Sequence, residues 1–239
     1  MAGSRIVWIT GASSGIGRSL AEEFASHGDS VAATARNLSN LTALQGQIEA
    51  SSGTCTVFQC DVSNPDQVRA TAELINTSLG SVDILINNAG VTYFKDFAST
   101  TIEQFDEVVA TNLRGLFLST KAVLPGMLER GNGLIINVLS YAAKATYTGS
   151  SVYAASKAGA EAMMKVLREE TRNRGIKIIN VHPGATFTAI WHPKHREKYG
   201  HQMMKPAEIA KVVYDLSCQP PSVAIEDVVI RPQIGDLQV

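Results

Sequence analysis

The 239-residue chain has little of what marks disulfide-stapled, membrane-spanning or polyanion-binding proteins. It has three cysteines, Cys55, Cys60 and Cys218, an odd and sparse set that is no disulfide framework. Cys55 and Cys60 sit in the apolar run TCTVFQC and are expected as buried thiols of a reducing compartment. Neither sign of charge is in excess. Lys and Arg total 21 and Asp and Glu total 22, which removes the electrostatic case for nucleic acid or an anionic membrane as partner. No run approaches the roughly 18 uninterrupted apolar residues of a membrane span. The start, MAGSRIVWITGASSG, lacks a signal-peptide shape, because its apolar run is short and flows into a glycine-rich turn. A cytoplasmic protein is expected. Pro/Gly/Ser linkers and internal repeats are also missing, so residues 1–239 are expected to form a single domain. With 45% apolar and 18% charged residues the chain is not disordered, and it is long enough to bury a sizeable core.

What is present is an alternation. Apolar runs (RIVWIT, SVAATA, TCTVFQC, VDILINNAG, GLIINVLS, GIKIINVHPG, EDVVIRP) alternate with amphipathic stretches closed by glycines such as Gly28, Gly53 and Gly80. Ser63 is expected to cap the third helix, and Pro206 to sit in the first turn of the last. Two helices are expected between the fourth and fifth strands, from Thr101 to Leu113 and from about Leu116 to Arg130. Short apolar strands alternating with helices imply an α/β fold, a Rossmann-like doubly wound parallel sheet with helices on both faces. The one irregular stretch is Ala189 to Met204, AIWHPKHREKYGHQMM, after the sixth strand.

The first strand ends in TGASSGIG, Thr10 to Gly17. Gly11 permits a sharp turn, Gly15 lets the backbone approach a pyrophosphate, and Gly17 packs the helix on the sheet. Ser13, Ser14 and Ile16 complete the turn, where a helix N-terminus offers free N–H groups and a partial positive charge. The second strand ends in TARN. A cofactor with a free ribose 2′-hydroxyl calls for Asp or Glu here; Arg36 instead suits a 2′-phosphate, with Ser13 and Asn37 adding hydrogen bonds. NADP(H) is therefore expected over NAD(H).

With these motifs the chain resembles the short-chain dehydrogenase/reductase family over nearly its whole length. Asp61–Val62 matches the family's adenine-holding pair. Asn87–Gly90, NNAG, matches the motif after the fourth strand and implies cofactor contacts from Asn88, Ala89 and Gly90. Ser140 ends the fifth strand, and Tyr153 and Lys157 follow thirteen residues later with the spacing Y-x3-K. Asn112 stands at the family's catalytic Asn. HPGATFT matches the segment in which Pro183 and Gly184 pass the nicotinamide and Thr186 and Thr188 hold the carboxamide or diphosphate. Leu139 and Tyr141, beside Ser140, are bulkier than is common in the family and bear on specificity.

The chemistry follows. A free Tyr has a pKa near ~10, and a neighbouring Lys charge favours tyrosinate. Tyr153 is thus the expected acid/base and Lys157 its electrostatic support. The resemblance adds that Lys157 bonds the nicotinamide ribose and that Asn112 holds a water for proton return. Ser140 would bond the substrate oxygen. The expected activity is an NADP(H)-dependent interconversion of a carbonyl and a secondary alcohol. A 3-oxoacyl-carrier-protein reductase shares every one of these residues, and a catalytically silent dinucleotide sensor is the reading from another class. Ser156 is expected to serve helix packing and His182 structural support. His192, His195 and His201 lack companion ligands, so no metal is expected. Residues 189–204 are read as the substrate lid, with Trp191, Tyr199, Met203 and Met204 as its apolar part. Lys194, Arg196 and Lys198 are read as a solvated basic face rather than a surface for an acidic carrier. Tyr93, Phe94, Leu139, Tyr141, Ala145 and Tyr147 are expected to complete an apolar pocket wall. The resemblance implies a homodimer or homotetramer formed through the helices carrying Asn112 to Arg130 and Tyr153 to Arg174.

Overall fold

Strand β1 (Ile6–Thr10) sends Val7 and Ile9 into one apolar cluster and Trp8 into another, so it is buried on both faces. That period of two runs through the whole sheet. In the computed structural model, which describes residues 4–237, β1 is followed by α1 (Gly15–Ser26), β2 (Ser30–Ala35), α2 (Leu38–Ala50), β3 (Thr54–Gln59) and α3 (Pro65–Ser78). The chain continues through β4 (Ile84–Asn87), α4 (Ile102–Val109), α5 (Gly115–Arg130), β5 (Gly133–Val138) and α6 (Ser151–Thr171). It closes with β6 (Ile176–Pro183), α7 (Pro193–Tyr199), α8 (Pro206–Ser217) and β7 (Asp227–Ile230). The extreme ends of the expected 1–239 unit lie outside the described residues.

The strands form one parallel sheet in the order β3-β2-β1-β4-β5-β6-β7. Successive strands run one way from β1 to β3 and the other way from β4 onward. The crevice between β1 and β4 is therefore the switch point at which such sheets bind ligands. Leu20, Phe24, Leu41, Leu44, Ile209 and Val213 cover one face from α1, α2 and α8. Val68, Ile75, Val123, Met127, Ala160 and Met164 cover the other from α3, α5 and α6. Cys55 and Cys60 are buried, as expected.

The second face also carries polar groups. Asn87, Asn137, Asn180 and Asp227 are successive register partners on β4, β5, β6 and β7. Asn87 Nδ2 donates to Asn137 Oδ1 at 3.0 Å, Asn137 Nδ2 to Asn180 Oδ1 at 3.0 Å, and Asn180 Nδ2 to Asp227 Oδ1 at 3.1 Å.

Three local expectations are corrected. Asn64, not Ser63, caps α3: its side-chain oxygen accepts the N–H groups of Asp66 and Gln67 at 3.0 and 3.1 Å. The Ser63 hydroxyl instead donates to Asp61 Oδ1 at 2.7 Å. The helices expected to be separate around residue 114 are joined by a π-turn, Ala110–Arg114, that runs α4 into α5. The stretch expected to be irregular contains α7, with Pro193 in its first turn and the His192 ring accepting the Lys194 N–H at 3.3 Å.

Candidate active site

A cleft of about 580 Å³ opens over the C-terminal ends of the strands at the switch point. The glycine turn forms its floor. Gly11 has φ +67°, and a Cβ there would stand 2.7 Å from Ala89 Cα. At Gly17 a Cβ would stand 2.3 Å from the Gly11 carbonyl oxygen, so α1 can start this close to the turn only without a side chain. Ser14 occupies the N-cap position of α1, but its side chain makes no capping bond. The caps of α2, α3 and α4 are all filled, by Asn37, Asn64 and Thr101. The first-turn N–H groups of α1 therefore lack an intrahelical or side-chain partner and face an anion-sized space. This cradle fits a dinucleotide pyrophosphate.

Gly11, Ser13, Ser14, Gly15 and Ile16 all line the cleft. So do Arg36, Asn37, Asp61 and Val62 on the β2 and β3 side, and Asn88, Ala89, Gly90 and Thr188 on the other. Gly17, Pro183, Gly184 and Thr186 do not line it; they shape the backbone around it. Pro183 ends β6 beside Ile230, and Thr186 Oγ1 turns inward to the Gly184 carbonyl at 3.0 Å. Asn88 Nδ2 donates to the carbonyls of Thr10 and Gly11 at 3.0 and 3.2 Å and so clamps the end of β4 to the glycine turn. Asp61 Oδ1 accepts the Ser63 N–H at 2.9 Å, which fixes the carboxylate. Asn37 Oδ1 is taken up in capping α2, leaving its amide NH2 for a ligand.

Arg36 is the expected 2′-phosphate partner. Its guanidinium lies 3.7 Å from Glu107 of α4, across the cleft mouth. The Tyr93 hydroxyl donates to the same carboxylate, and that bond pushes the phenol pKa up. Glu107 and its ties were not read from the sequence.

Further along the sheet, Ser140, Tyr153, Lys157 and Asn112 converge. Ser140 Oγ accepts the Ala142 N–H at 3.1 Å, which leaves its hydroxyl hydrogen to donate on the Tyr153 side. Ser140 also hydrogen-bonds Tyr153, which pulls the phenol pKa down, but burial is the larger influence and holds it above the ordinary value. Lys157 is buried, and its Nζ donates to the Val138 carbonyl at 3.0 Å and lies 5.8 Å from the Tyr153 ring centre. Burial pulls its amine down to about 8. The expected lowering of the Tyr153 pKa by the Lys157 charge is thus not seen; burial raises it and only the Ser140 bond opposes that.

Asn112 occupies the π-turn. Its Oδ1 accepts the Val91 N–H at 2.8 Å, and its Nδ2 donates to the Val91 carbonyl at 2.9 Å and to Ser156 Oγ at 3.0 Å. Its side chain is therefore spent on the protein, and Ser156 ties α6 to that turn as well as packing within it. Val91 was missed; it follows NNAG directly, the one signal that could have found it.

Over Tyr153, the Phe94 ring meets the phenol edge-on at 6.5 Å and stacks on Trp191 at 5.3 Å and 22°. The Arg231 guanidinium lies 4.3 Å from the Tyr141 ring centre and pairs with Asp236 at 2.8 Å. Burial and the Asp236 bond push the Tyr147 phenol up to about 12. The segment 231–236 therefore packs against Tyr141 and Tyr147, which the sequence reading did not foresee; of the expected wall residues, Tyr93 and Leu139 line the cleft. His182 is fully buried with its Nδ1 3.3 Å from the Ser140 carbonyl, and burial pulls its pKa down. Glu161, His182 and Asp227 bring donor atoms within 4.8 Å of one another, but Glu161 already holds the ammonium groups of Lys144 and Lys165 at 2.8 and 2.5 Å.

The sequence pattern of the short chain dehydrogenases matches residues 5–199. Glycine betaine reductase of Emericella nidulans is 34% identical over 237 residues, 96% of this chain and 19% of that protein, so this chain spans less than a fifth of that relative's length. Sepiapterin reductase of Chlorobaculum tepidum is 33% identical over 240 residues, 98% of either chain. The crystal structure of a metagenomic short-chain oxidoreductase in complex with NADP superposes with a TM-score of 0.85 at 31% identity, covering 96% of this chain and 97% of that one.

Proposed function

The chain belongs to the short-chain dehydrogenase family, and from that membership we propose that it is an NADP(H)-dependent oxidoreductase interconverting a carbonyl and a secondary alcohol. The observation that carries the reading is the pair Tyr153 and Lys157, with Ser140 bonded to Tyr153, at one end of a cleft whose other end holds Arg36. The bound nicotinamide supplies the hydride chemistry. Uncapped N–H groups at the start of α1 bind the pyrophosphate, and Asp61 and Val62 border the adenine. Arg36 binds the 2′-phosphate; the NADP in the metagenomic structure supports that choice.

Ser140 donates its hydroxyl hydrogen to the substrate oxygen and orients it, giving up its bond to Tyr153. Tyr153 gives its phenolic proton to that oxygen in reduction and takes it back in oxidation. Lys157, charged below about pH 8, stabilises the phenolate that results. Asn112 holds the Val91 backbone and α6 in place, and so keeps Lys157 and Tyr153 at the cleft. Phe94 and Trp191 cover the reacting group with apolar surface and exclude water, which suits an apolar or aromatic carbonyl. The whole chain acts as one dinucleotide-binding unit, with residues 189–204 as its lid.

A panel of ketones, aldehydes and acyl thioesters, read by NADPH absorbance, tests the reading. Turnover of free carbonyls is expected. Preference for acyl thioesters would instead select the carrier-protein reductase, for which the exposed Lys194 and Lys198 offer a basic face. NADPH binding without turnover on any substrate would select a dinucleotide sensor.

A further inference from the structure

Ser140 opens a tight turn, and a side chain ties each end of that turn to the body of the protein. Inside the turn, the Ser140 carbonyl accepts the Ala143 N–H at 3.1 Å, and the Tyr141 carbonyl accepts the N–H groups of Lys144 and Ala145 at 2.9 and 3.0 Å. At the far end, Lys144 Nζ donates to Glu161 Oε1 on α6 at 2.8 Å. At the near end, the Leu139 N–H still meets the Val181 carbonyl of β6 at 2.8 Å. One residue further, the tie to β6 is made by a side chain: His182 Nδ1 lies 3.3 Å from the Ser140 carbonyl oxygen.

The neighbours of the His182 ring assign its hydrogen. A carbonyl oxygen only accepts, so Nδ1 is the donor. The opposite nitrogen, Nε2, is buried and has no hydrogen-bond partner among the described residues. It lies 3.7 Å from Asp227 Oδ1, beyond hydrogen-bond reach. The charged groups around the ring are Lys144 from the turn, Glu161 from α6 and Asp227 from β7. Burial is the largest influence on the ring and Lys144 acts with it, so the imidazole is neutral at pH 7 and carries one hydrogen. Placed on Nε2, that hydrogen would gain no bond and would set the Nδ1 lone pair against the carbonyl.

The ring is also a fixed point. β6 lies between β5 and β7, and His182 is in register with Val229. A side chain carried by a strand paired on both sides cannot drift with the turn it holds. Its reach therefore sets the Ser140 carbonyl, and with it the direction in which the Ser140 hydroxyl leaves the backbone.

We propose that His182 is a positioning residue, which donates from Nδ1 to the Ser140 carbonyl and thereby holds the Ser140 hydroxyl against Tyr153 and the substrate oxygen. The Lys144–Glu161 pair holds the other end of the same turn to the helix that carries Tyr153. Ser140 is thus set from β6 and α6 together. The positioning role rests on Ser140 acting in the proposed reaction; the hydrogen bond to its carbonyl does not.

The test compares His182→Asn with His182→Gln. The Asn amide nitrogen stands as many bonds from the backbone as Nδ1, and the Gln amide nitrogen as many as Nε2. Gln is the closer match to His in size, so a role in filling space alone would favour Gln. Positioning favours Asn. His182→Asn is expected to keep kcat on a carbonyl substrate within about threefold, and His182→Gln to lower it about tenfold, with the KM for NADPH unchanged in both. In a Ser140→Ala background the two should be equal, because the group they position is gone. Equal losses in the presence of Ser140, or a better Gln variant, overturn the proposal. Neutron diffraction from wild-type crystals locates the hydrogen itself, which X-ray data at ordinary resolution do not. A hydrogen on Nδ1 is expected, and a hydrogen on Nε2 alone overturns the proposal even if neither variant folds. Full turnover in Ser140→Ala would remove Ser140 from the proposed reaction and the positioning role with it, while a hydrogen on Nδ1 would leave the bond standing.

Discussion

Arg36 and Glu107 face each other at 3.7 Å across the cleft mouth, one from the end of β2 and the other from α4. A 2′-phosphate attracted to Arg36 meets the like charge of Glu107. The carboxylate is then a brake on NADP(H) binding, and Glu107→Gln removes it with little change of shape. NADPH should bind about two- to fivefold tighter to this variant, within the scale of an exposed ion pair. The gain should shrink as salt is added, and NADH binding should not move. Fluorescence titration at two ionic strengths measures this; weaker NADPH binding would make Glu107 a ligand contact instead.

Tyr153→Phe keeps the ring against Phe94 and removes only the hydroxyl. Turnover should fall by at least about 10², the usual scale of acid/base contributions, with NADPH affinity within about twofold of the wild type. Steady-state kinetics beside a binding titration separates the two. Retained turnover would remove Tyr153 from the chemistry.

The Lys157 amine, pulled to about 8 by burial from an ordinary 10.5, couples folding to pH. Below about pH 8 both folded and unfolded chains carry the charge, and the folded chain bears the full cost of burying it. Between about 8 and 10.5 the unfolded chain binds more protons, so the stability contributed by this residue rises with pH. Lys157→Met has no such dependence. Its stability relative to the wild type should be greatest below pH 8 and should decline by on the order of 3 kcal/mol as pH rises to 10.5. The lost bond to Val138 adds a constant offset. Urea melts across this range give the slope, and a flat difference would contradict a buried charge.

Trp191→Ala removes the ring that stacks on Phe94. An aromatic pair of this kind contributes about 0.5–1.5 kcal/mol, so the KM for an apolar carbonyl should rise about two- to tenfold. NADPH affinity should be unchanged. An unaltered KM would place Trp191 outside the substrate wall.

Ile102 and Phe105 on α4 and Phe117 on α5 are exposed, an apolar surface suited to self-association. Light scattering should give the mass of a dimer or tetramer, and Phe105→Glu with Phe117→Glu should lower it. A monomer in the wild type would leave that surface unexplained.

What could be read beforehand was what is local or spaced along one element. The glycine turn needs only neighbours, and Tyr153 and Lys157 share a helix. Strand burial on both faces is written in runs such as ILIN and IINV. Adjacent capping candidates were harder: Ser63 and Asn64 have the same propensity, and only the turn geometry gives the two N–H groups to Asn64. Helix α7 is seven residues long, too short to show a period, and its one mark is Pro193. Glu107 could not be found, because its meeting with Arg36 depends on α4 and the end of β2 bordering the same crevice. Nor could the raised pKa of Tyr153, where desolvation exceeds the pull of the Ser140 bond and depends on burial. The same holds for Arg231, which reaches Tyr141 only because β7 lies beside β6 at the sheet edge.

The row of amides from Asn87 to Asp227 bears on how the sheet assembles. β4, β5 and β6 are rich in Ile, Leu and Val, and such strands pair almost as well when displaced. A one-residue slip turns every side chain to the wrong face and is excluded by hydrophobicity alone. A two-residue slip keeps the faces and shifts each amide by roughly 7 Å, beyond reach of its partner. Buried and stranded, several amides then oppose that misalignment at about 1–3 kcal/mol each. The row therefore proofreads strand alignment where greasy side chains are indifferent. Because its first amide, Asn87, lines the same small cavity as Lys157, a sheet that passes this check has also set the surroundings of its lysine.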